Sequence, residues 1–161
     1  YTKEDYLLLI DKLRAAAPEI AITTDVIVGF PGETDEDFEE TLDLIEKVRF
    51  DSAFTFLYSV RKGTPAEKYT DQVPEAVKHE RFNRMVELLN GISAEKNKAC
   101  VGRVFDVLVE GQSKTNSRTY AGRTESGKLV NFKGSPELAG KIVPVKITEG
   151  KTFSLFGEIM A

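Results

Sequence analysis

The sequence predicts an α/β module followed by a small all-β module in a chain of 161 residues. Before Val101, helical apolar periods alternate with two short strand-like runs, and after it the period changes to two. The charge changes sign at the same place. Residues 1–96 carry 12 basic against 20 acidic side chains, whereas residues 97–161 carry 10 against 6. We therefore predict two domains, 1–96 and 97–161.

Helix and strand patterns alternate in the first module. Thr34, with Asp37 three residues on, is a capping-box start for a helix whose first turn is acidic. Strand, helix and strand within about 40 residues predict a right-handed βαβ unit with parallel strands. The predicted elements are a helix over 2–17, a strand over 20–28, a helix over 35–48, a strand over 53–58 and a helix over 74–98.

Two parallel strands make too small a sheet to stand alone, because both outer edges are left open. We therefore expect the module to be part of a larger α/β barrel or sheet whose other strands are missing here. An oligomer that completes the sheet and a small α/β domain protected by its helices are the alternatives. The sequence opens on Tyr1 and not on Met, which indicates a fragment.

Turn residues separate five period-two segments in the second module. Five short strands in about 60 residues are typical of a small antiparallel β-barrel of the OB or SH3-like kind. The predicted strands are 103–110, 119–124, 128–132, 141–148 and 153–160.

Composition excludes several classes of function. The chain is 41% apolar and 30% charged, which is typical of soluble globular proteins, and no apolar run approaches the roughly 18 residues of a membrane span. Cys100 is the single cysteine, which excludes an internal disulfide and an iron–sulfur site made by this chain alone. It also indicates a reducing compartment, so we expect a cytoplasmic protein and no membrane partner. No nucleophile–base pair or metal cluster emerges, and no catalytic residue is predicted.

The stretch 24–34, with the letters TDVIVGFPGET, predicts a strand buried on both faces, a tight turn and a helix start. Gly29 and Gly32 allow a ligand to approach the backbone at the carboxyl end of the strand. The turn lacks the P-loop lysine and the three-glycine dinucleotide spacing, and its acidic helix start opposes phosphate. We expect an apolar or adenine-like group against Ile27, Gly29 and Phe30. A turn used only for tight packing is the alternative.

Basic residues lie among aromatic residues in the second module. This mixture suits contacts to an RNA backbone together with stacking on its bases. Tyr120 and Phe132 are either such stacking residues or core residues. The predicted RNA-binding residues are Lys114, Arg118, Arg123, Lys128 and Lys133.

In the first module, Arg61 follows the second strand and is a candidate to bind a carboxylate or phosphate.

Particular motifs resemble one known family. TDVIVGFPGETDEDF at 24–38 and FTFLYSVRKGTPA at 54–66 resemble the carboxyl-terminal third of the radical-SAM core in methylthiotransferases. GRT at 122–124, VNF at 130–132 and SLFGE at 154–158 resemble the TRAM domain that follows that core. The YSVRKGTPA and VNF versions resemble the tRNA-modifying MiaB type. The resemblance covers essentially the whole chain.

The resemblance implies the end of a partial TIM-like radical-SAM barrel, followed by an RNA-binding TRAM barrel. It implies an enzyme that uses S-adenosylmethionine and two 4Fe-4S clusters to methylthiolate C2 of N6-isopentenyladenosine beside the anticodon. The implied partners are the anticodon stem-loop of tRNA and amino-terminal domains that have no counterpart here. We therefore expect this chain alone to bind no cluster and to be inactive. The rival hypothesis is a stand-alone RNA-binding module whose α/β part is a structural adaptor.

The same resemblance implies residues for S-adenosylmethionine. The glycine turn falls where radical-SAM proteins place a loose Gly-x-Ile-x-Gly-x-x-Glu element near the adenine. Ile27 and Gly29 match it, whereas Asp25 replaces the first glycine and Glu33 comes one residue late. The implied cofactor-binding residues are Ile27, Gly29, Phe30, Tyr58 and Arg61.

Overall fold

The computed structural model of the chain describes residues 1–113 and 119–160, and the chain divides into two compact units between Ile92 and Ser93. The order of elements agrees with the sequence patterns, with small shifts at the strand ends. Short 3-10 helices occupy Pro65–Lys68 and Pro136–Leu138. The helices and strands are α1 Lys3–Ala16, β1 Thr23–Val28, α2 Asp35–Val48, β2 Ser52–Leu57, α3 Glu75–Lys98, β3 Val104–Gln112, β4 Tyr120–Thr124, β5 Leu129–Phe132, β6 Ile142–Gly150 and β7 Leu155–Ile159.

In the first unit, β1 and β2 form the predicted two-stranded parallel sheet. The capping box of α2 is confirmed, because the Thr34 hydroxyl accepts from the Asp37 backbone N–H and the Asp37 carboxylate accepts from the Thr34 N–H. One face of the sheet packs against the helices. Its buried core consists of Ile10, Ile22, Val28, Phe38, Ile45, Val48, Phe50, Met85, Leu89 and Ile92.

The other face of this sheet is open, which corrects the prediction of a strand buried on both faces. Ile27 is 56% exposed, and its register partner on β2, Phe56, is 47% exposed. Phe54 on the same face is 69% exposed. The helices that follow and precede the strands all lie on one side, so the described residues supply no second layer for these side chains.

The second unit is a closed barrel with the strand order β3-β4-β5-β7-β6. One pair, β5 with β7, is parallel, so the barrel is mixed and the prediction of five antiparallel strands is wrong in this point. The reason is parity, because strand directions cannot alternate all the way around a closed ring of five strands. The barrel interior is formed by Cys100, Val107, Val109, Tyr120, Val130, Phe132, Val143, Val145, Ile147 and Leu155.

None of the helices within residues 1–113 and 119–160 combines the length and the apolar character needed to span a membrane.

Candidate functional site

The glycine turn after β1 has the left-handed backbone that its sequence predicts. Gly29 has a φ of 80° and Gly32 a φ of 83°, a region that other residues enter only with strain. Gly29 is also needed for space, because a Cβ placed on it would lie 2.5 Å from Cγ of Lys78 on α3. A side chain at Gly29 would therefore strain the backbone and displace Lys78.

A carboxylate of the chain itself fills the anion position of this turn. The Gly29 N–H donates to both carboxylate oxygens of Glu33, at 3.1 and 3.0 Å. The guanidinium of Arg81 on α3 donates to Glu33 Oε1 at 2.6 Å and, through its other terminal nitrogen, to Asp35 Oδ1 at 2.6 Å. The turn consequently has no vacant cradle for a phosphate at Gly29, in line with the acidic sequence that follows it.

Arg81 is a buried cation, and its side chain is only 6% exposed. Burial opposes its charged form, but the hydrogen bonds to the carboxylates of Asp35 and Glu33 outweigh burial and raise the pKa of Arg81 above its ordinary value. Arg81 also donates to the backbone carbonyl of Glu33 at 3.1 Å. The guanidinium therefore ties α3 to the glycine turn.

Aromatic rings gather at the carboxyl ends of β1 and β2. Phe30, which is 46% exposed, packs edge-on against Tyr58 with ring centroids 5.0 Å apart and against Tyr69 at 6.2 Å. The Tyr58 N–H donates to the carbonyl of Val28 at 2.9 Å, which holds Tyr58 beside the turn. The Tyr58 hydroxyl is buried and has no hydrogen-bond partner within the part of the chain that the structure describes. A buried hydroxyl of this kind is costly unless a ligand or water completes it.

The five predicted cofactor-binding residues are not all brought together. Phe30 and Tyr58 are in contact, and Gly29 begins the turn that carries Phe30. Ile27 lies on the open face of the sheet. Arg61 is exposed in the loop after β2, where its carbonyl accepts from the Thr64 hydroxyl at 2.8 Å.

A cleft of about 660 Å³ lies between the end of β2 and the start of α3. Lys78 lines it with a side chain that is only 5% exposed, and its ammonium donates to Glu75 Oε1 at 2.8 Å. That hydrogen bond lowers the pKa of Glu75 below its ordinary value. The ammonium also lies 5.7 Å from the centroid of the Tyr58 ring. The lining residues are Leu57, Tyr58, Ser59, Val60, Gln72, Val73, Pro74, Glu75 and Lys78.

The sequence patterns did not single out Lys78 and Arg81 as site residues. A signal for them exists, because they precede the buried Met85 by seven and four residues and therefore share its face of α3. Basic side chains at such positions are usually assigned to solvent. Here the acidic start of α2 and Glu75 provide partners that make their burial possible.

The predicted RNA-binding residues occupy different parts of the second unit. Arg123 on β4 donates to Glu110 Oε1 at 3.1 Å and to the carbonyl of Gly127 at 2.9 Å. Lys128 donates to Asn97 Oδ1 at 3.1 Å at the same end of the barrel. Lys133 is exposed just after the opposite end of β5. Lys114 and Arg118 lie outside the described residues.

The structure decides whether Tyr120 and Phe132 are stacking residues or core residues. Tyr120 and Phe132 are 7% and 2% exposed and belong to the core, so they cannot stack on bases. Other aromatics are at the surface. Phe153 is 77% exposed in the loop between β6 and β7, and Phe156 on β7 is partly exposed, with the Lys151 ammonium 4.7 Å from its ring centroid.

The residues present do not fit an iron–sulfur cluster. Such clusters are held by several cysteine thiolates, and Cys100 is the single cysteine of the sequence. Cys100 is buried in the barrel core, and its thiol lies 3.4 Å from the Lys96 carbonyl. In residues 1–113 and 119–160, no three His, Cys, Asp or Glu side chains are grouped as metal ligands.

Comparison with known proteins covers both units. Residues 98–160 match the TRAM domain. Over 158 residues the chain is 58% identical to the tRNA-2-methylthio-N(6)-dimethylallyladenosine synthase of Clostridium botulinum (strain Okra / Type B1), an alignment that covers 98% of this chain and 35% of that protein. The chain is thus closely similar, over nearly its whole length, to about a third of a tRNA methylthiotransferase. The synthases of Clostridium novyi and Carboxydothermus hydrogenoformans are 57% and 58% identical over 160 residues, or 99% of this chain and 35% and 36% of theirs.

The predicted resemblance to the methylthiotransferases and to the TRAM domain is therefore confirmed. The chain spans about a third of the length of these curated relatives, and it aligns with their carboxyl-terminal end. Its two units accordingly correspond to the last part of a methylthiotransferase, with the TRAM domain as the closed barrel.

Proposed function

We propose that this chain is the carboxyl-terminal part of a tRNA methylthiotransferase. The complete enzyme would replace the C2 hydrogen of N6-isopentenyladenosine, next to the anticodon, with a methylthio group. The observation that carries the proposal is 58% identity over 158 residues to a synthase named for this product. Because the alignment covers 98% of the chain, it includes both the glycine turn and the barrel.

We assign the α/β unit to one wall of an S-adenosylmethionine pocket. Ile27 and Phe30 present apolar surface near the carboxyl ends of parallel strands, where α/β folds bind ligands, and Gly29 supplies the left-handed backbone of the turn that carries Phe30. The buried Tyr58 hydroxyl offers a hydrogen bond that no described residue takes up. Arg61, in the exposed loop beyond, is the candidate partner for the carboxylate of the amino-acid moiety. S-adenosylmethionine, when bound, supplies a radical and the methyl group.

We propose that amino-terminal domains outside this sequence hold both 4Fe-4S clusters of the complete enzyme, because a single buried cysteine does not fit a cluster. The α/β unit and the barrel therefore contribute binding surfaces to a reaction whose metal chemistry lies elsewhere in the enzyme. We expect the 161-residue chain to be inactive alone.

We assign the barrel to binding of the anticodon stem-loop. The predicted RNA-binding residues are Lys114, Arg118, Arg123, Lys128 and Lys133 in the sequence, and residues 97–161 carry 10 basic against 6 acidic side chains. Cations on a small barrel bind the RNA backbone, with an affinity that falls as salt rises. We place the complete enzyme in the cytoplasm, together with its tRNA substrate.

Reconstitution of the full-length protein tests this function. The protein expressed from its complete gene is loaded with iron and sulfide without oxygen, then incubated with S-adenosylmethionine, a reductant and tRNA that carries isopentenyladenosine. Nucleoside mass analysis is expected to show the methylthio product, and Tyr58→Phe is expected to raise the KM for S-adenosylmethionine more than it lowers kcat. Lack of product with fully loaded protein, or a complete gene without a cysteine triplet upstream, would contradict the proposal and favour a stand-alone RNA-binding module.

A further inference from the structure

The barrel has exposed aromatic side chains that are not part of its core. Phe153 is 77% exposed in the loop that joins β6 to β7, and Phe156 is partly exposed on β7. We propose that the segment Lys151–Phe156 is a stacking platform for unpaired bases of single-stranded RNA, with Phe153 as its principal stacking residue. This inference rests on the proposed tRNA-binding function and adds a site on the barrel for it.

Strand register places this platform near two of the predicted basic residues, Arg123 and Lys128. Leu155 pairs with Val130 and both are buried, so the next pair, Phe156 with Asn131, lies on the outer face of the barrel. Arg123 pairs with Leu129 one strand further along. The β6–β7 loop and the β4–β5 turn therefore meet at one end of the barrel, where a strand of RNA crossing β7, β5 and β4 would reach both.

Hydrogen bonds from the side chain of Asn97 fix the loop that carries Phe153. Asn97, which is 7% exposed, donates its amide N–H groups to the carbonyls of Lys151 at 2.7 Å and of Thr152 at 3.1 Å. The Lys151 N–H donates to the Ser154 carbonyl at 2.8 Å, which closes the turn around Phe153. The Lys128 ammonium completes the cluster by donating to Asn97 Oδ1. A ring presented on an ordered loop loses little conformational entropy when a base stacks on it.

Cations accompany the exposed rings. The Lys151 ammonium lies 4.7 Å from the Phe156 ring centroid and 3.6 Å from a Glu149 carboxylate oxygen, so it is a paired cation at the rim of the platform. The Lys128 ammonium lies next to Asn97, the residue that fixes the loop. Aromatic rings next to cations are the combination that binds single strands, since the rings stack on bases while the cations contact phosphates.

The position of the loop in the barrel supports the same ligand. β6 and β7 are the fourth and fifth strands of a five-stranded barrel, and in OB-type barrels the loop between these strands is one of the elements that bind oligonucleotides. The ligand is expected to be single-stranded, because bases inside an A-form helix are already stacked and cannot cover an isolated ring.

The test uses the 161-residue chain and a fluorescein-labelled single-stranded RNA of about eight nucleotides, with fluorescence anisotropy at about 50 mM salt. Phe153→Ala is expected to weaken binding about 5- to 100-fold, whereas Phe153→Trp retains affinity. The matched control is Ile142→Ala, because Ile142 is an apolar residue that is 67% exposed on the same barrel, and we expect no change. Lys151→Ala is expected to make the salt dependence shallower by about 0.7 in slope.

An RNA of the same length without bases separates stacking from charge. The difference between the wild-type chain and Phe153→Ala is expected to disappear with this probe. If the Phe153→Ala variant has an unchanged circular dichroism spectrum and binds the normal RNA as tightly as the wild type does, the stacking proposal is wrong. That result would leave tRNA binding by the basic residues intact. A wild-type chain that binds no RNA at low salt would overturn both the platform and the RNA-binding part of the proposed function.

Discussion

The barrel closes on itself, whereas the α/β unit leaves one face of its sheet open. Two isoleucines on strands show the contrast, since Ile147 on β6 is 1% exposed and Ile27 on β1 is 56% exposed. A closed sheet has no free edge and encloses its own apolar core. Two parallel strands with helices on one side cannot do this. The barrel therefore encloses its own core, whereas the α/β unit leaves apolar side chains of its sheet exposed among the described residues.

The two units also treat buried polar groups differently. The α/β unit buries two cations, Lys78 and Arg81, each against a carboxylate, while the buried polar residues of the barrel are the neutral Asn97 and Thr124 among the described residues. Buried ion pairs contribute little net stability, but they impose a defined geometry and are costly to break. Charged pairs therefore fix part of the geometry of the α/β unit, whereas the described interior of the barrel holds apolar and neutral polar side chains.

The largest effect is expected from a pair of identical truncations, one in each unit. Ile147→Ala should lower the free energy of unfolding of the barrel by about 4 kcal/mol, because it leaves a cavity in a closed core. Ile27→Ala should change the stability of the α/β unit by no more than about 0.5 kcal/mol in this chain, since its side chain is already exposed. Peptide-resolved hydrogen exchange measures both. Equal losses in the two units would contradict the contrast between a closed and an open sheet.

A smaller effect is expected from breaking the buried ion pair. Arg81→Met should destabilise the α/β unit by about 3 kcal/mol, because it leaves the Glu33 carboxylate, which is 12% exposed, without its cation. Adding Glu33→Gln should restore part of that loss. The control is Arg84→Met, because Arg84 pairs with the exposed Glu39 and should cost about 0.5 kcal/mol or less.

Urea unfolding followed by circular dichroism at 222 nm reads out these Arg81 variants, because most helical residues belong to the α/β unit. The double variant Arg81→Met with Glu33→Gln is compared with Arg81→Met alone. If the double variant is no more stable, the guanidinium stabilises the unit through packing and not through charge.

The smallest effect is expected from acid. A backbone hydrogen bond from Thr34 lowers the pKa of Asp37 below its ordinary 3.8, and hydrogen bonds from Lys3 and Lys47 do the same for Asp43. Because the folded pKa values lie below the unfolded ones, these carboxylates stabilise the α/β unit above about pH 4 and lose that contribution as pH falls through the folded values. Helix content should decline earlier in acid than barrel protection from hydrogen exchange. Asp37→Asn should flatten the decline, and an unchanged profile would rule out this capping carboxylate as its source.

Local sequence decided most of the secondary structure. The capping boxes at Thr2 and Thr34 and the parallel pairing of the βαβ unit follow from residues within a few positions of one another or from chain handedness. The five strands of the barrel were likewise predictable from period-two patterns between turn residues. Those signals depend on the backbone and on near neighbours, which a single sequence displays directly.

The candidate sites were predictable only in part. The turn at Gly29 is visible in the letters, but its occupation by Glu33 depends on Arg81, 48 positions away. In the barrel, aromatic composition indicated RNA, whereas the choice between Tyr120 inside and Phe153 outside depends on which face of each strand the closed ring encloses. The sequence by itself determined the elements, their caps, the resemblance to the methylthiotransferases and the basic character of the barrel. Tertiary structure decided which cations are buried and which rings are exposed, because burial is a property of the packed neighbours and not of the residue.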